Sequence, residues 1–581
     1  MNQTIRYIFL VLLFTFSLNA QTIYLDEDFS DWDNISSLYT DSENDGINID
    51  FGNLKIQNDD KFIYFYLEVG TEMNFQSNND LVMYIDADAN SATGKSVDGI
   101  GAELEYKIGE REGKYYYENN SETIYHPNIG LISLPTVTSN RFEFLINRDT
   151  KILDRLLFDN EKFNVLFRDE RTDGDKLPNE DGGLEFQFTS AIYSELPYSI
   201  DKKDDENIRV LSYNVLFDNL HKSSRKNNFK RIFQALKPDI IGFQEIYDHS
   251  AKQTADLIKE FLPDQTWYYS STNSDNIYVG KYPVINSYPI DGNSAFLLDL
   301  EDAGKEMLFI SAHPPCCDNE FKRQKEIDHI MSLIRDLKNG TGPFTLQENS
   351  PIVIVGDMNL VGYAQQQQTL INGDIQNTGS YGEKFSPDWD DTDLSDVKPF
   401  ATGFPAAITW YNGNSDFSPG RLDYIVHSNS VLELKNSFTL LTPFIDIDTL
   451  SNHGIESSDV ILASDHLPTV ADFSVKPLTN NHTENDNIPS KYNLFQNHPN
   501  PFNPSTTIEY AIPSLDTRQG DSVQINVFDV LGNKIKTLYN GTAKSGKHKI
   551  KFDGKNLASG TYFIKMNCGD FRKTVKALLV K

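Results

Sequence analysis

Short apolar runs separated by polar turns dominate residues 22–200. The runs are rich in aromatic and β-branched residues, and Asn, Asp and Gly clusters lie between them; they are 61–69, 80–86, 101–109, 141–147 and 163–169. No long helical period intervenes. Many short strands joined by polar turns are typical of a β-sandwich. The pattern therefore predicts an N-terminal β-sandwich over residues 22–200.

Residues 208–473 show a different pattern, in which strand-like and helix-like periods alternate. Buried-strand runs occur at 208–216, 239–244, 305–312, 351–357, 421–427 and 468–473. Between them, apolar residues recur at helical spacing in FKRIFQAL (229–236) and at Ile327, Ile330, Met331 and Ile334. Alternating strands and helices predict an α/β domain.

The end of the chain is predicted to be a linker and a small β domain. Residues 474–491 are polar and predict a linker. In residues 492–581, two alternating runs flank Leu531-Gly532-Asn533. Such a pattern predicts a β-hairpin within a small C-terminal β-sandwich.

The N-terminus predicts a signal peptide over residues 1–20. Arg6 supplies a positive charge, Tyr7 to Leu18 form a short apolar run, and Ala20 offers a small residue before the expected cut. The run is short for a transmembrane helix, and no second apolar stretch approaches membrane-spanning length. We therefore expect an exported protein without a transmembrane segment after cleavage.

Charge and cysteine content narrow the possibilities. The 581 residues carry a formal charge of −32, and residues 208–473 hold 36 acidic against 20 basic residues. This balance argues against a protein that coats nucleic acid, because phosphate binding needs concentrated Lys and Arg. Three cysteines exclude a disulfide framework. The adjacent Cys316 and Cys317 are either free thiols or a vicinal disulfide.

Polar residues cluster at the ends of the strands predicted for the α/β domain. They are Asn214, Glu245, His313, Asp357, Asn359, Asp423, Asp465 and His466. Strand ends on a rigid scaffold are places where functional groups can converge. Carboxylate and amide oxygens suit Mg²⁺ or Mn²⁺ rather than a soft metal. The pattern predicts that these eight residues converge in one pocket.

The same residues carry a family resemblance. The blocks SYNV, FQE, ISAH, VGDMN, GRLDYI and ASDHLP, in this order, resemble the endonuclease/exonuclease/phosphatase superfamily, which includes pancreatic-type deoxyribonucleases, neutral sphingomyelinases and inositol polyphosphate phosphatases. The resemblance spans residues 208–473 and implies a four-layer α/β sandwich with two packed mixed sheets. It also implies a metal-dependent phosphoric ester hydrolase.

The resemblance assigns the metal to two carboxylates. Glu245 is the first expected ligand of Mg²⁺ or Mn²⁺, with Ca²⁺ as a further option, and Asp465 is expected at the same site or at a second weak site. Asn214 is expected near the metal-bound water or a phosphate oxygen. Leu216 stands where some relatives carry an acidic residue, so the resemblance does not extend to a second metal subsite that uses that carboxylate.

The remaining residues receive catalytic roles from the resemblance. His466 is expected to be the base that activates water, because an imidazole can accept a proton near neutral pH, and Asp423 is expected to orient it. Asp357 and Asn359 match the pair that positions the attacking water and the scissile phosphate. His313 is expected to donate a hydrogen bond or a proton to the phosphoryl oxygens or the leaving group.

The flanking domains show resemblances of their own. FSDWDNI (29–35) and YIDADANSATG (84–94) resemble sandwich modules related to family 9 carbohydrate-binding domains. In the second motif Asp86, Asp88 and Asn90 alternate, which suits either a structural calcium site or a plain Asx-rich turn. A carbohydrate or surface contact through residues 22–200 is therefore an open option.

The tail resembles the C-terminal sorting domain of the type IX secretion pathway. The matching stretches are NLFQNHPNPFNPSTTIEYAIP (493–513), VFDVLGNKIKTL (527–538) and ASGTYFIKM with KALLVK at the end. The resemblance implies export through the type IX machinery, followed by secretion or attachment to the cell surface.

The substrate stays open between three possibilities. They are a phosphodiester such as DNA or RNA, a sphingomyelin-like or small-molecule phosphoester, and no substrate at all in an inactive surface binding protein. Two basic clusters, Arg225, Lys226, Lys230 and Arg231 and then Lys322, Arg323 and Lys325, are either a nucleic-acid strip or solvated helix faces. Loop 377–408 is long enough to shape substrate entry or to be a surface excursion.

Overall fold

In this computed structural model, the described residues are 23–476 except 43, 273 and 301–304, and 492–581 except 496, 498, 514–520, 544, 545 and 570. The predicted signal peptide and residues 477–491 of the predicted linker lie outside them. The chain forms two compact units, Met1–Lys476 and Pro477–Lys581. Among the described residues, no helix is both long and apolar enough to cross a membrane.

The N-terminal part of the first unit is a β-sandwich, as predicted. One sheet has the strand order β1-β2-β3-β11-β10, and the other has the order β15-β14-β4-β7-β8-β9 with β16 also paired to β14. The strands are β1 (Tyr39–Thr40), β2 (Asn53–Asn58), β3 (Phe62–Met73), β4 (Leu81–Asp86), β5 (Lys95–Val97), β6 (Ile100–Ala102), β7 (Leu104–Lys107), β8 (Glu112–Tyr117), β9 (Asn120–Ile124), β10 (Ile132–Leu134), β11 (Ser139–Asn147), β12 (Lys151–Ile152), β13 (Arg155–Leu156), β14 (Lys162–Asp169), β15 (Lys176–Leu177) and β16 (Leu184–Gln187), with helix α1 (His126–Ile129) before β10.

Strand β3 explains why this sandwich does not stand apart from the rest of the unit. Its odd-numbered side chains, such as Ile63 and Phe65, pack between the two sheets, where Phe65 stacks on Phe144 with ring centroids 4.7 Å apart. Its even-numbered side chains, such as Tyr64, are buried as well and pack against the α/β domain. Since successive side chains of a strand point to opposite faces, an unbroken apolar run marks a sheet covered on both sides.

The second part of the unit is the α/β domain, built on two six-stranded mixed sheets. Their orders are β19-β20-β18-β17-β28-β27 and β21-β22-β23-β24-β26-β25. The elements are β17 (Ile208–Asn214), α2 (Lys226–Leu236), β18 (Ile240–Gln244), α3 (Ala251–Phe261), β19 (Tyr268–Ser271), β20 (Ile277–Gly280), β21 (Val284–Ile290), β22 (Asn293–Asp299), β23 (Glu306–Ala312), α4 (Glu320–Lys338), β24 (Ile352–Asp357), α5 (Ala364–Asn372), α6 (Thr378–Tyr381), β25 (Ser395–Asp396), β26 (Asp423–His427), β27 (Leu432–Thr439), α7 (Ile447–His453), α8 (Asp459–Ala463) and β28 (Thr469–Val475).

The two sheets and their helices form four layers. Val210, Phe309 and Val355 belong to an apolar cluster that both sheets bury between them. Helices α2, α3 and α8 cover the outer face of the first sheet, and α4 and α5 cover the outer face of the second. The predicted four-layer α/β sandwich is confirmed, and so are the predicted helices around residues 229–236 and 327–334.

A buried ion pair ties the sandwich part to the α/β part. The guanidinium of Arg421 donates to Glu27 from its Nε, at 3.1 Å, and to Asp396 from its Nη1, at 2.8 Å. All three side chains are buried. The segment before Glu27 adds backbone hydrogen bonds, because Leu25 pairs with Ala406 as a parallel bridge. The first segment of the sandwich is thus anchored in the α/β domain.

The second unit is a small β-sandwich. Its sheets have the orders β29-β30-β33 and β32-β31-β34-β35. The strands are β29 (Asn493–Leu494), β30 (Ser505–Ile512), β31 (Asp521–Phe528), β32 (Lys534–Ala543), β33 (Gly546–Asp553), β34 (Gly560–Cys568) and β35 (Phe571–Leu579). The predicted hairpin around Leu531-Gly532-Asn533 is confirmed, since β31 and β32 pair across it.

Replacing Arg421 by Met tests the anchor. The change leaves the carboxylates of Glu27 and Asp396 buried without their cation, and breaking a buried pair in this way costs about 3–5 kcal/mol. We expect a clearly lower temperature for the first unfolding transition in calorimetry. Lys162→Met is the matched control, because its pair with Glu185 is exposed and worth less than about 1 kcal/mol. Equal unfolding temperatures for the two variants would contradict the anchor.

Candidate active site

The strand ends of both sheets meet at one edge of the α/β domain. Strands β17 and β18 are parallel, and so are β23 and β24. Their carboxyl ends deliver Asn214, Glu245, His313 and Asp357. Strand β26 is antiparallel to β24, with Asp423 paired directly opposite Asp357. The topology therefore brings together residues that are far apart in the chain.

The carboxylate of Asp357 is the common partner at this edge. Its Oδ2 accepts from Nδ2 of Asn214 at 3.0 Å. The Nε2 atoms of His466 and His313 lie 3.4 Å and 3.5 Å from the same oxygen. The Asn214 amide also donates to Oε1 of Glu245 at 3.0 Å. Five of the eight predicted residues thus form one cluster around a single buried oxygen.

Each histidine of the cluster is held from behind by a second carboxylate. Nδ1 of His466 lies 2.8 Å from Oδ2 of Asp423, and Nδ1 of His313 lies 2.6 Å from Oδ2 of Asp275. Asp423 is itself fixed, because its backbone N–H donates to the Thr409 hydroxyl. These contacts direct Nε2 of both imidazoles toward Asp357.

The carboxylates raise the pKa of both histidines. Burial lowers the pKa of His466, but the charges of Asp423 and Asp357 outweigh burial and raise it to about 10. Burial likewise lowers the pKa of His313, but its hydrogen bond to Asp275 and the charge of Asp357 raise it to about 9. Without a bound cation, both imidazoles are therefore protonated at neutral pH.

Asp275 is a site residue that the sequence analysis missed. Besides pairing with His313, its carboxylate accepts the backbone N–H of Glu245 at 3.1 Å. It lies in the loop between β19 and β20, among Asn and Ser residues that resemble an ordinary turn. Asp275 reaches His313 because that loop folds over the strand ends. No local sequence pattern predicts this fold of the loop.

Asn359 and Asp465 flank the cluster. The backbone N–H of Asn359 donates to Oδ1 of Asp357 at 3.0 Å, and its side-chain amide donates to the carbonyl of Pro314. Asp465 lies beside His466, and its Oδ2 accepts weak hydrogen bonds from Trp410 and Asn412 at 3.3 and 3.4 Å. All eight predicted residues therefore lie in or next to the cluster, but Asp465 contacts Trp410 and Asn412 rather than Glu245.

Backbone strain concentrates at the same edge. Glu245 and Asn359 adopt left-handed conformations with φ of 65° and 51°, and so do three consecutive residues at 216–218. Such conformations cost about 1–2 kcal/mol for a non-glycine residue and cluster at functional sites. In the 216–218 turn, the backbone N–H of Phe217 donates to Oε2 of Glu245 at 2.8 Å. The turn therefore orients the Glu245 carboxylate through a backbone hydrogen bond. Position 216, where some relatives carry an acidic residue, is Leu in this chain.

The donor set fits a divalent cation. One oxygen each of Glu245 and Asp357 and one nitrogen of His313 lie within 4.8 Å of one another. The edge also carries Asp275, Asp423 and Asp465. For the described residues, no hydrogen bond or ion pair of these five carboxylates involves Lys or Arg. A buried group of anions with only two histidines as countercharge favours an added cation.

Two unpartnered oxygens add to this fit. Oδ1 of Asp465 is buried and has no hydrogen-bond partner among the described residues, and the same holds for Oδ1 of Asp423. A buried carboxylate oxygen without a partner is costly, so it points to a group that is bound there in the working state. Asp465 therefore stays an expected ligand, at the same site as Glu245 or at a second site, and Asp357 is added as a candidate.

The proposed calcium motif of the sandwich has a mixed outcome. Asp86 and Asp88 lie close to Glu103, which has one buried oxygen without a described partner. Burial and the charge of Asp88 raise the pKa of Glu103 to about 7. Asn90 instead closes a turn, since its backbone N–H donates to both aspartates and its side chain accepts from Ala92. Calcium binding by the two aspartates stays a prediction, and the Asx turn is present as well.

Two other sequence features are resolved. Cys316 and Cys317 are free, exposed thiols in the loop after His313. Loop 377–408 packs into the domain rather than over the site, since the Trp389 indole donates to the Ser350 carbonyl and Phe404 is buried.

Comparisons with known proteins agree with this architecture. Residues 211–466 match the model of the endonuclease/exonuclease/phosphatase family. The α/β domain belongs to that family. Residues 497–581 match the secretion system C-terminal sorting domain. These two resemblances are confirmed, and the sorting domain indicates export to the cell surface or the medium. For residues 22–200 the β-sandwich is present, and the resemblance to family 9 carbohydrate-binding domains stays a prediction.

Solved structures similar to the endonuclease/exonuclease/phosphatase domain are distant. The human nocturnin catalytic domain with bound sulfate is 17% identical, covers 47% of this chain and 95% of its own, and has a TM-score of 0.29. Truncated TDP2 from Caenorhabditis elegans is 16% identical, with 46% and 97% coverage and a TM-score of 0.31. Sphingomyelinase C from Streptomyces griseocarneus is 15% identical, with 46% and 99% coverage and a TM-score of 0.27. No curated protein matches the chain.

Manganese binding tests the cation fit. We expect the purified protein to bind Mn²⁺, and Glu245→Gln and Asp357→Asn each to weaken the tightest site about tenfold or more, because each removes a charged ligand. Free Mn²⁺ is counted by electron paramagnetic resonance. Glu260→Gln, an exposed partner of Lys226, is the control and leaves binding unchanged. Loss of the tightest site in Asp88→Asn alone would instead place the ion in the sandwich.

Proposed function

We propose that this protein is an exported phosphodiesterase, in which water attacks a phosphodiester at the edge that carries Asp357. The observation that carries the proposal is the shared carboxylate of Asp357, with two carboxylate-backed histidines on one side and Asn214 and Glu245 on the other. Hydrolysis needs an acid, a base and charge stabilisation within reach of one phosphorus atom. The cluster supplies all three.

The two histidines have opposite tasks in this proposal. His466, oriented through Nδ1 by Asp423, accepts the proton of the attacking water at its Nε2. His313, held protonated by Asp275, donates from its Nε2 to a phosphoryl oxygen or to the leaving oxygen. Asp357 and Asn359 orient the water and the phosphate between them. The arrangement needs one imidazole to be basic while the other stays protonated.

A divalent cation fits this division of roles. Glu245 and Asp357 are the residues that would hold Mg²⁺ or Mn²⁺, and His313, protonated in this proposal, lies beside them without being a ligand. When bound, the cation neutralises phosphate charge and offsets the carboxylate charge that keeps His466 protonated. The charge of the neighbouring Asp465 also raises the pKa of His466.

Charge favours a diester over a monoester. A phosphodiester carries one negative charge, whereas a phosphomonoester carries between one and two near neutral pH. The site described above has two histidines and no Lys or Arg partner, so it is better matched to one charge. Monoester hydrolysis is the alternative that a substrate panel decides.

The surface charges favour a short substrate over a long nucleic acid. Arg231 is paired with Asp459, Lys226 with Glu260, Arg323 with Glu320, and Lys325 with Asp291. The basic clusters noted in the sequence are therefore largely neutralised by acids. A polyanion would find few free cations here, and phosphate contacts dominate nucleic-acid affinity.

Export in this proposal uses two signals. The signal peptide at residues 1–20 would direct the first membrane crossing, and the sorting domain would direct the second through the type IX machinery. The complete polar cluster counts against an inactive binding protein, because a site without catalysis has no need for two oriented histidines around one carboxylate.

Catalytic variants test the proposal. With Mg²⁺ or Mn²⁺ and bis(p-nitrophenyl) phosphate, we expect His466→Ala to lower kcat by about 10²–10⁴, the usual contribution of a general base. Asp423→Asn should lower kcat as well, because it removes the charge behind Nδ1. His453→Ala on α7 is the matched control and should keep full activity.

EDTA and the choice of substrate complete the test. EDTA should abolish hydrolysis and added Mn²⁺ should restore it. Faster turnover of p-nitrophenyl phosphate than of the diester would change the assignment to a phosphatase. Sphingomyelin, plasmid DNA and RNA are assayed in parallel, and full activity of His466→Ala on every substrate would refute the mechanism.

A further inference from the structure

A cleft opens next to the cluster, between the sandwich and the endonuclease/exonuclease/phosphatase domain. Its volume is about 760 Å³, which lies within the range of small-molecule sites, roughly 300–1,000 Å³. Gln76 and Arg111 line it from the sandwich, and Asn359, Trp410 and Phe417 line it from the other side. Asn359 and Trp410 contact Asp357 and Asp465 directly. A molecule in the cleft would therefore adjoin the reacting phosphate.

The sandwich holds the loop that closes this cleft, residues 411–420. Oε1 of Gln76 accepts the backbone N–H of Ser418 at 2.8 Å. Nε2 of His126 lies 2.9 Å from the carbonyl oxygen of Ser415. The guanidinium of Arg111 lies 4.2 Å from the ring centroid of Phe417. The sandwich is thus a wall of the substrate region and positions its neighbouring loop.

The lining of the cleft combines apolar and polar surface and carries little free positive charge. Amide and hydroxyl side chains make up much of the wall, among them Asn74, Gln76 and Ser418. The guanidinium of Arg111 is already engaged, since it donates to the Gln76 carbonyl at 2.6 Å and covers Phe417. Phe417 is nevertheless 45% exposed, and Tyr363 is 60% exposed. Two accessible rings therefore lie in the same lining as amide and hydroxyl groups.

We propose that this cleft binds the nucleoside group of a short phosphodiester substrate, with the base stacked on Phe417 or Tyr363. The inference rests on the proposed phosphodiesterase function and names its substrate class. Aromatic rings stack well on any base, and amides and hydroxyls can pair with the edge of a base. The cleft supplies both kinds of group within one wall.

Other occupants fit less well. An acyl chain would bring no hydrogen-bonding group to the polar part of this lining, which includes Asn74, Gln76 and Ser418. A longer run of phosphates would meet Asp318 and Glu320 in the lining. A neutral, flat and hydrogen-bonding group is the chemistry that these walls match.

Two p-nitrophenyl esters test the inference, because both release the same leaving group. We compare the p-nitrophenyl ester of thymidine 5′-phosphate with methyl p-nitrophenyl phosphate. We expect a kcat/KM about tenfold or more higher for the thymidine ester, the size of a base-stacking contribution. Phe417→Ala should remove most of this preference by raising the KM of the thymidine ester, and Phe417→Tyr should restore it.

Controls separate the cleft from the fold and from the chemistry. Phe321→Ala is the matched variant, because Phe321 is 80% exposed and is not part of the cleft. Tyr363→Ala is a second ring variant in case Phe417→Ala unfolds. Thymidine binding measured by calorimetry needs no turnover. Thymidine that binds the native protein but not Phe417→Ala supports the nucleoside site even if neither ester is hydrolysed. The absence of ester hydrolysis would then refute only the proposed phosphodiesterase function.

The opposite results overturn the inference. They are equal kcat/KM for the two esters together with no thymidine binding, or an unchanged preference in both ring variants. Tighter binding of methyl glucoside than of thymidine, lost in Phe417→Ala, would reassign the cleft to carbohydrate.

Discussion

The site depends on one buried carboxylate oxygen, Oδ2 of Asp357. It is within reach of two imidazoles and one amide, and no Lys or Arg shares its charge among its described contacts. Together with Asp423 behind His466 and Asp275 behind His313, this negative charge raises the pKa of both histidines, and it favours a bound cation. The Asp357 carboxylate also orients its neighbours, since the imidazoles of His313 and His466 and the amide of Asn214 all face its Oδ2.

The strain at the edge is the counterpart of this convergence. Five non-glycine residues adopt left-handed backbone near the cluster, including Glu245 and Asn359. The strands deliver their last residues in fixed directions, and these turns redirect the side chains or N–H groups onto Asp357 and Glu245. The two packed sheets and their helices hold the strained turns in place.

The sandwich and the α/β domain form one compact unit. Three sets of contacts join the sandwich to the α/β domain. They are made by the unbroken apolar run in β3, by the Arg421 anchor and by the loop at 411–420. Sandwich residues form one wall of the cleft beside Asn359, so the proposed nucleoside site would include the sandwich. The sorting domain forms a separate compact unit.

The sequence by itself determined the classes of fold and most of the polar cluster. Periods of two and of 3.6 residues reflect which faces are buried, so the sandwich, the α/β layers and the hairpin at 531–533 were predictable. Six short sequence blocks identified the eight polar residues, because each block combines a buried strand or its end with a particular polar side chain. Asp275 was not predictable, since its role arises from a loop that folds back over another strand.

Only the tertiary structure decided which groups touch. It placed Asp465 with Trp410 rather than with Glu245, packed Trp389 and Phe404 of loop 377–408 against the domain, and formed the cleft from the sandwich and the 411–420 loop. Each of these depends on contacts between segments that are tens to hundreds of residues apart. Local patterns record how a segment is buried, and they carry no information about which distant segment covers it.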